Sequence, residues 1–346
     1  MIQLLSHYQP QLAAYLQSYL TLQLKTEPAT VWDRDVYTRL LDFTLGGKLL
    51  RGSLFLATYE QLGGKQLSEA MPVAAAIELL QTSLLIHDDI MDNDRFRRGK
   101  ISIFAQYQEL FVERKLRNPH HNGVSLAICV GDVAIFHGFG LLAKQPNYSL
   151  LTTFTQEFSR VGFGQMVDVE LTATPTAVPE ERILEMYISK TARYTFSLPF
   201  MAACQMTQVD TKTSDKLDLL GEKIGLLYQI RDDELGLFGS VAELGKPIMS
   251  DVREGKKTLY YLAAFRLASK AQRVDLERWY GNADLGEVEF EQVKDLLKST
   301  GAQEYVDQKV LQLKKEAVAL TEELSVTKEH QELLLQLIQY NMTRKK

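Results

Sequence analysis

The sequence predicts an all-α protein, a single-domain bundle of about 10–13 helices around a deep central cavity. Three observations lead there. Apolar residues recur at helical spacing over most of the chain, and no series of alternating strands interrupts them. The breaks are short and carry turn formers: Gly46-Gly47, Gly63-Gly64, Arg98-Gly99, Asn118-Pro119 and Gly245-Lys246-Pro247. Two aspartate clusters end apolar helical runs far apart in the chain. They must be neighbours to share a ligand, which favours one domain over residues 1–346.

In chain order, helices are expected near 3–24, 33–45, 49–62, 68–91, 103–116 and 124–144. The stretches 71–91 and 123–144 are the most apolar, but Glu78, Gln81, Asp132 and His137 within them would be costly in lipid. Both therefore read as buried core helices, and no integral membrane segment is expected. Helices near 147–172, 179–206 and 213–238 follow, then 256–269, 287–299, 302–324 and 327–343. The last segments are more charged and evenly amphipathic, as an outer layer would be.

With 45% apolar and 24% charged residues, the chain has the composition of a soluble globular protein. A net charge of −5 argues against nucleic acid as the main partner. Cys129 and Cys204 lie in apolar stretches and fit buried thiols in a reducing cytosol. The N-terminal segment lacks a basic region followed by an apolar core, so a cytoplasmic location is expected. Arg344-Lys345-Lys346 reads as a solvated tail.

The first cluster, LLIHDDIMDNDRFRRG, supplies Asp88, Asp89, Asp92 and Asp94, with Arg97 and Arg98 beyond. The second, LLYQIRDDELGLFG, supplies Asp232 and Asp233. At 3.6 residues per turn, Asp88 and Asp92 share a helix face, where like charges repel. A cation has to offset that repulsion. Carboxylates from two helices suit Mg2+, which keeps several waters and bridges to substrate phosphates. GGKLLRG places Lys48 and Arg51 at a helix start, whose free N–H groups suit phosphate. Arg97 and Arg98 can clasp a diphosphate or simply neutralise the acidic patch. The segment GLFGSVAELGKPIMSDVREGKKT adds Lys246, Asp251, Lys256 and Lys257 in a glycine-rich loop that reads as a closing lid. His87 adjoins Asp88, but adjacent helix positions face different ways, so it reads as a packing residue. No Ser-His-Asp order, P-loop or CxxC spacing is present, which leaves triad hydrolases, P-loop NTPases and zinc modules without their signatures.

Taken together and in order, these motifs resemble the trans-isoprenyl diphosphate (polyprenyl) synthase family, of the geranylgeranyl diphosphate synthase type. GGKLLRG resembles its isopentenyl diphosphate segment and HDDIMDNDRFRRGK its first aspartate-rich motif. GQMVDVE, Lys190-Thr191, QIRDDELG and GKPIMSDVREGKKT resemble its later motifs. The resemblance implies an isoprenoid-synthase fold and a head-to-tail prenyltransferase that couples isopentenyl diphosphate to an allylic diphosphate. By the same resemblance, Asp88, Asp92 and Asp232 would ligate Mg2+, supported by Asp89 and Asp233. Roughly three Mg2+ per site are expected, with Mn2+ as a substitute. Arg97, Lys190, Lys246 and Lys256 would contact the allylic diphosphate. Lys48, Arg51, Gln81 and Arg98 would hold isopentenyl diphosphate, and oxygens at Thr191 and Gln165 would stabilise the allylic cation. Departures from the pattern are Leu49 for a basic residue, Gly52 for proline, Ile101-Ser102 for Pro-Thr, and Gly236 at the third carboxylate position of the second motif. A homodimer is implied, with the 124–144 helix as a plausible interface.

The growing tail should run beside the helix of the first cluster, past Leu84 and Ser83 and then Leu80 one turn deeper. A small Ser83 leaves that tunnel open. The expected product is longer than C15, about C20 or somewhat more, because each added unit buries five carbons worth up to ~4 kcal/mol. Phe136 is an alternative floor. Two rival readings remain: a terpene cyclase, which has no use for Lys48, Arg51 and Arg98, and a non-catalytic regulatory subunit, which tends to lose the aspartate clusters.

Overall fold

The computed structural model describes residues 3–26, 30–174, 178–239 and 249–344. The chain is helical almost throughout, as its periodicity predicts, and its residues fall into two compact units. One comprises Met1–Thr152 with Ala202–Gln208, the other Thr153–Met201 with Val209–Lys346.

The first unit holds α1 (Gln3–Thr26), α2 (Val31–Leu45), α3 (Leu50–Gln61), α4 (Leu67–Met91), α5 (Ile103–Glu113) and α6 (Pro119–Leu142). Its axis is α4, apolar on nearly every face: Val73, Ala74, Ala75, Ala76, Ile77 and Leu79 are all buried. Such a helix belongs inside a bundle. The α6 helix differs from its expected burial. Gly123, Ala127, Val130, Gly131, Ala134 and Gly138 form its buried face, which packs on α4 and α5. Ile128 and Phe136 on the other side are 43% and 73% exposed, and Cys129 is exposed with them. Both helices are long and apolar enough to cross a membrane by length and composition. Yet 72% of the apolar window is buried in α4 and only 33% in α6. Apolarity all round cannot tell a core helix from one that keeps an open apolar face.

After α4 the chain makes a hairpin that periodicity missed. The strands β1 (Phe96–Arg97) and β2 (Lys100–Ile101) pair Phe96 with Ile101 and Arg97 with Lys100. Arg98 and Gly99 turn it at φ 55° and 74°, the left-handed pair that a two-residue hairpin loop requires.

The second unit holds α7 (Tyr148–Ala173), which begins in the first, then α8 (Glu180–Tyr187), a π-helix over Ile188–Ser197 and α9 (Leu198–Thr207), whose C-terminal part returns to the first. A single helix was expected there. Next come α10 (Thr211–Phe238), α11 (Ser250–Glu254), α12 (Leu259–Leu267), α13 (Lys270–Trp279), α14 (Glu287–Ser299), α15 (Ala302–Glu322) and α16 (Lys328–Thr343). Asp210 caps α10 by accepting from Thr213 N at 2.9 Å, which fixes the start of the helix that carries the second cluster. Ile183, Leu226, Ile230, Leu259, Phe290 and Val306 are among the buried residues of this unit's core. The α13 helix was missed, although its capping box at Ser269 and Gln272 was readable.

Candidate active site

The α4 helix carries Asp88 and Asp89 in its last turn. Asp92 caps it, donating its N–H to the Asp88 carbonyl at 2.8 Å, so Asp88 and Asp92 stand one turn apart as predicted. The hairpin folds Arg97 back onto this cluster. Its Nε donates to Asp89 Oδ1 at 2.6 Å, and its Nη2 lies 3.3 Å from Asp88 Oδ2 and 3.7 Å from Asp94 Oδ2. Arg97 thus pairs with three carboxylates of the acidic patch. Asp89 is 1% exposed, and its Oδ2 has no hydrogen-bond partner. Burial pushes its carboxyl up to about 7 against the pull of Arg97. His87 packs against Gly131, where a Cβ would come within 2.2 Å of its Nε2, and Nε2 also lies 3.3 Å from the Ile128 carbonyl.

The basic groups of the same unit gather around Glu78. Leu49 is buried in a left-handed conformation at φ 49°, a strained position for a non-glycine residue, and from there α3 begins. Arg98 donates to the Phe43 carbonyl at 3.1 Å and lies against Gly47, where a Cβ would come within 2.8 Å of its guanidinium. Glu78 accepts from Gly52 N at 2.7 Å, a bond that a proline at that position could not make. Burial pushes the Glu78 carboxyl up, opposed by that N–H and by the charges of Arg51 and Arg98. Gln81, one turn along α4, is buried with Oε1 lacking a partner. Rotating the amide would present a donor at the same place. A cleft lined by Asp42, Phe43, Gly46, Arg98, Lys100 and Gln106 opens beside these groups. Of the four predicted isopentenyl diphosphate residues, Arg51 and Arg98 thus share Glu78, Gln81 lies beside it on α4, and Lys48 is exposed next to Gly47.

The second cluster has a different environment. Asp233 is buried on α10, accepting from Tyr187 Oη and from Gln229 Nε2. Burial pushes its carboxyl up to about 8 in spite of those donors. Gln229 Oε1 accepts from the Thr191 hydroxyl at 2.8 Å, while Tyr187 Oη accepts from Leu259 N at 3.1 Å. A continuous chain therefore runs from Thr191 through Gln229, Asp233 and Tyr187 to the start of α12. Lys190, beside Thr191, donates to Asp168 at 2.6 Å, and Gln165 lies half-buried one turn before Asp168 on α7. Lys190 and Thr191 sit on the π-helix, a form concentrated at functional sites. Gly164 lets α7 come that close: a Cβ there would be 2.6 Å from Lys190 N.

Two findings bear on the departures and the tail. A Cβ at Gly236 would come within 2.8 Å of Asp251 Oδ2, so the place of the missing third carboxylate is faced by the carboxylate of Asp251. Arg344 is no solvated residue. Its side chain is 4% exposed and donates to Asp232 Oδ1 at 2.9 Å and to the Tyr228 carbonyl at 3.1 Å. An arginine placed next to two lysines gives no local hint of such burial. Lys246, Lys345 and Lys346 lie outside the described residues, as does the stretch 240–248 in the middle of the expected lid. Its described part is partly tethered: Arg253 donates to the Leu285 carbonyl, Lys256 pairs with Glu254 at 3.3 Å, and Lys257 lies over the Tyr261 ring. Phe136, the alternative tunnel floor, lies on the open face of α6, because the buried face is taken by small residues.

A divalent metal fits the first cluster. Its donors are hard carboxylate oxygens, and the buried Asp89 Oδ2 has no protein donor to satisfy it. Among the described residues, no three His, Cys, Asp or Glu side chains close a metal cage. Mg2+ does not require one, since substrate phosphates and water complete its shell.

A sequence profile of the Polyprenyl synthetase family matches residues 34–297. A geranylgeranyl diphosphate synthase of Sulfolobus acidocaldarius is 32% identical over 263 residues, covering 74% of each chain. A geranylfarnesyl diphosphate synthase of Aeropyrum pernix is 29% identical over 315 residues, 87% of this chain and 91% of that one. The crystal structure of a geranylgeranyl pyrophosphate synthase from Corynebacterium glutamicum, in complex with isoprenyl diphosphate and magnesium, superposes with a TM-score of 0.91 at 26% identity. It covers 97% of this chain and 98% of its own. Fold and carboxylate clusters together define an isoprenoid synthase. The chain belongs to the polyprenyl synthetase family and is a chain-elongating trans-prenyltransferase.

Proposed function

We propose that the enzyme couples isopentenyl diphosphate head-to-tail to an allylic diphosphate, giving an all-trans polyprenyl diphosphate of about C20 or somewhat longer. The observation that carries this reading is the pair of guanidinium groups, Arg51 and Arg98, gathered at the buried Glu78, with Gln81 one turn along the same helix. A cyclase, which ionises one allylic diphosphate, has no use for a second diphosphate subsite. In this reading Asp88, Asp92 and Asp232 hold Mg2+, with Mn2+ as a substitute; the bound metal supplies charge that makes diphosphate a better leaving group.

Arg97, Lys190 and Lys256 orient the allylic diphosphate. Lys246 is assigned with them from its motif. The Thr191 hydroxyl donates its proton to Gln229, which leaves its oxygen lone pairs for the developing allylic cation, with Gln165 nearby on α7. The isopentenyl double bond attacks that cation, and the departing diphosphate takes the proton released after coupling. Apolar walls exclude the water that would quench the cation.

Ser83 is fully buried, Leu80 packs against Gly138 and Leu84 is half-buried, and these three line the path of the tail. The whole chain works as one catalytic domain, in keeping with a family match that runs through both units. The open face of α6 is proposed as the homodimer interface, and the cytoplasm as the location. Chromatography of dephosphorylated products tests the length assignment. Ser83→Phe should shorten the product by one or more isoprene units, about five carbons each, while Phe136→Ala should leave it unchanged. An unchanged length in Ser83→Phe would remove Ser83 from the wall.

A further inference from the structure

Asp232 has a cation of its own. Arg344 follows α16, 112 positions along the chain, yet its Nη2 reaches Asp232 Oδ1 at 2.9 Å. The ion pair is lopsided. The Arg344 side chain is 4% exposed, whereas the Asp232 side chain is 48% exposed. Contact is through one guanidinium nitrogen to one oxygen, short of the two-bond fork that arginine and a carboxylate can form. The same Nη2 also donates to the Tyr228 carbonyl at 3.1 Å, and the guanidinium carbon lies 3.9 Å from the centre of the Tyr228 ring. The backbone is fixed too, since the Arg344 carbonyl accepts from Arg231 Nε at 3.0 Å. Meanwhile Arg344 Nε is buried without a partner. The guanidinium is thus moored by Tyr228, and its backbone by Arg231, whether or not it holds Asp232, and its grip on Asp232 is incomplete.

We propose that Arg344 is a resident counter-cation of Asp232 that a divalent cation must displace, so that it sets the metal affinity of the second aspartate cluster. The inference rests on the assignment of Asp232 as a metal ligand. A carboxylate oxygen serving a guanidinium is a poorer metal donor, and a second positive charge held in contact with it opposes the incoming ion. Displacement costs one half-exposed bond, because the Tyr228 carbonyl and ring retain the side chain. Arg344 is thereby a positioning residue, acting through Asp232 and not on substrate.

The test is Mn2+ binding to the full-length, substrate-free protein, followed by the electron paramagnetic resonance signal of free Mn2+, for wild type, Arg344→Gln, Asp232→Asn and the double variant. Asp232→Asn should lose one class of sites, and Arg344→Gln should tighten that same class by about fivefold, the scale of a partly exposed ion pair. In the Asp232→Asn background, Arg344→Gln should change nothing. Unchanged or weaker Mn2+ binding in Arg344→Gln would overturn the counter-cation role. Wild-type binding in Asp232→Asn would instead overturn the assignment of Asp232 as a ligand. Thermal melting checks that each variant folds. If Arg344→Gln melts early, Arg344→Lys, which keeps the charge without the planar fork, should bind Mn2+ between the two extremes, and wild-type binding there would count against displacement.

Discussion

The two aspartate clusters are built alike in outline and differently in support. Each pairs a more exposed carboxylate with a buried one: Asp88 at 24% beside Asp89 at 1%, and Asp232 at 48% beside Asp233 at 5%. Each has an arginine on its outer carboxylate. In the first, Arg97 comes from the adjoining hairpin and serves the buried Asp89 as well, with a charge-assisted bond. In the second, the arginine comes from residue 344, and the buried Asp233 is held by the neutral donors Tyr187 and Gln229. The first cluster is a local device of one helix end and one turn. The second is assembled from α8, α10 and the residue after α16, so its properties depend on groups far away in sequence.

The largest effect expected is on turnover. Asp88→Ala and Asp92→Ala should each lower isopentenyl diphosphate incorporation by about 10²–10³-fold, the scale of losing transition-state charge stabilisation. Asp232→Ala should fall in the same range if the clusters are equivalent in function; a loss below about tenfold would show that the second is auxiliary. Stability should separate the clusters. Arg97→Ala leaves Asp89 buried beside other carboxylates and should cost about 3 kcal/mol in urea unfolding. Tyr187→Phe removes a neutral donor and strands the Leu259 N–H, for about 2 kcal/mol. The reverse order would break the contrast between charged and neutral support. Gly236→Asp restores the family's third carboxylate but sets it against Asp251. It should lower turnover by roughly threefold to tenfold, where a rise would show that Asp251 can yield.

The smallest effect lies away from both clusters. His330 is fully buried on α16 with neither ring nitrogen bonded, and burial pushes it down to about 4. Its folded value lies below the unfolded one, so the unfolded chain binds the extra proton between them. Stability contributed by neutral His330 is therefore present above about pH 6.5 and is lost as pH falls toward 4. Between pH 7 and 5.5 the loss should be about 1 kcal/mol, and His330→Leu should flatten that slope in melting curves. An equal slope in both proteins would place the acid sensitivity elsewhere.

The first cluster was legible because its parts are local. Helical period set Asp88 and Asp92 on one face, and Arg97 lay within reach of the same turn. Glu78 could have been found on the same grounds, as a carboxylate in an apolar helix one turn before Gln81. Gln229 likewise stands one turn before Asp233. Tyr187 and Arg344 carried no such signal, since their bonds to α10 depend on packing between distant segments. The π-helix was invisible because its register differs from an α-helix by one residue per turn, too little for apolar spacing to reveal. The open face of α6 was misread for a related reason: composition reports how apolar a helix is, not how much of it is covered.

The most direct test is Mg2+-dependent incorporation of labelled isopentenyl diphosphate, with farnesyl diphosphate as primer and product length read by chromatography. Incorporation that requires metal and yields products of about C20 or longer is expected. No incorporation with any allylic primer, in protein that folds and binds Mn2+, would contradict the two-substrate site and point to a cyclase or a non-catalytic subunit.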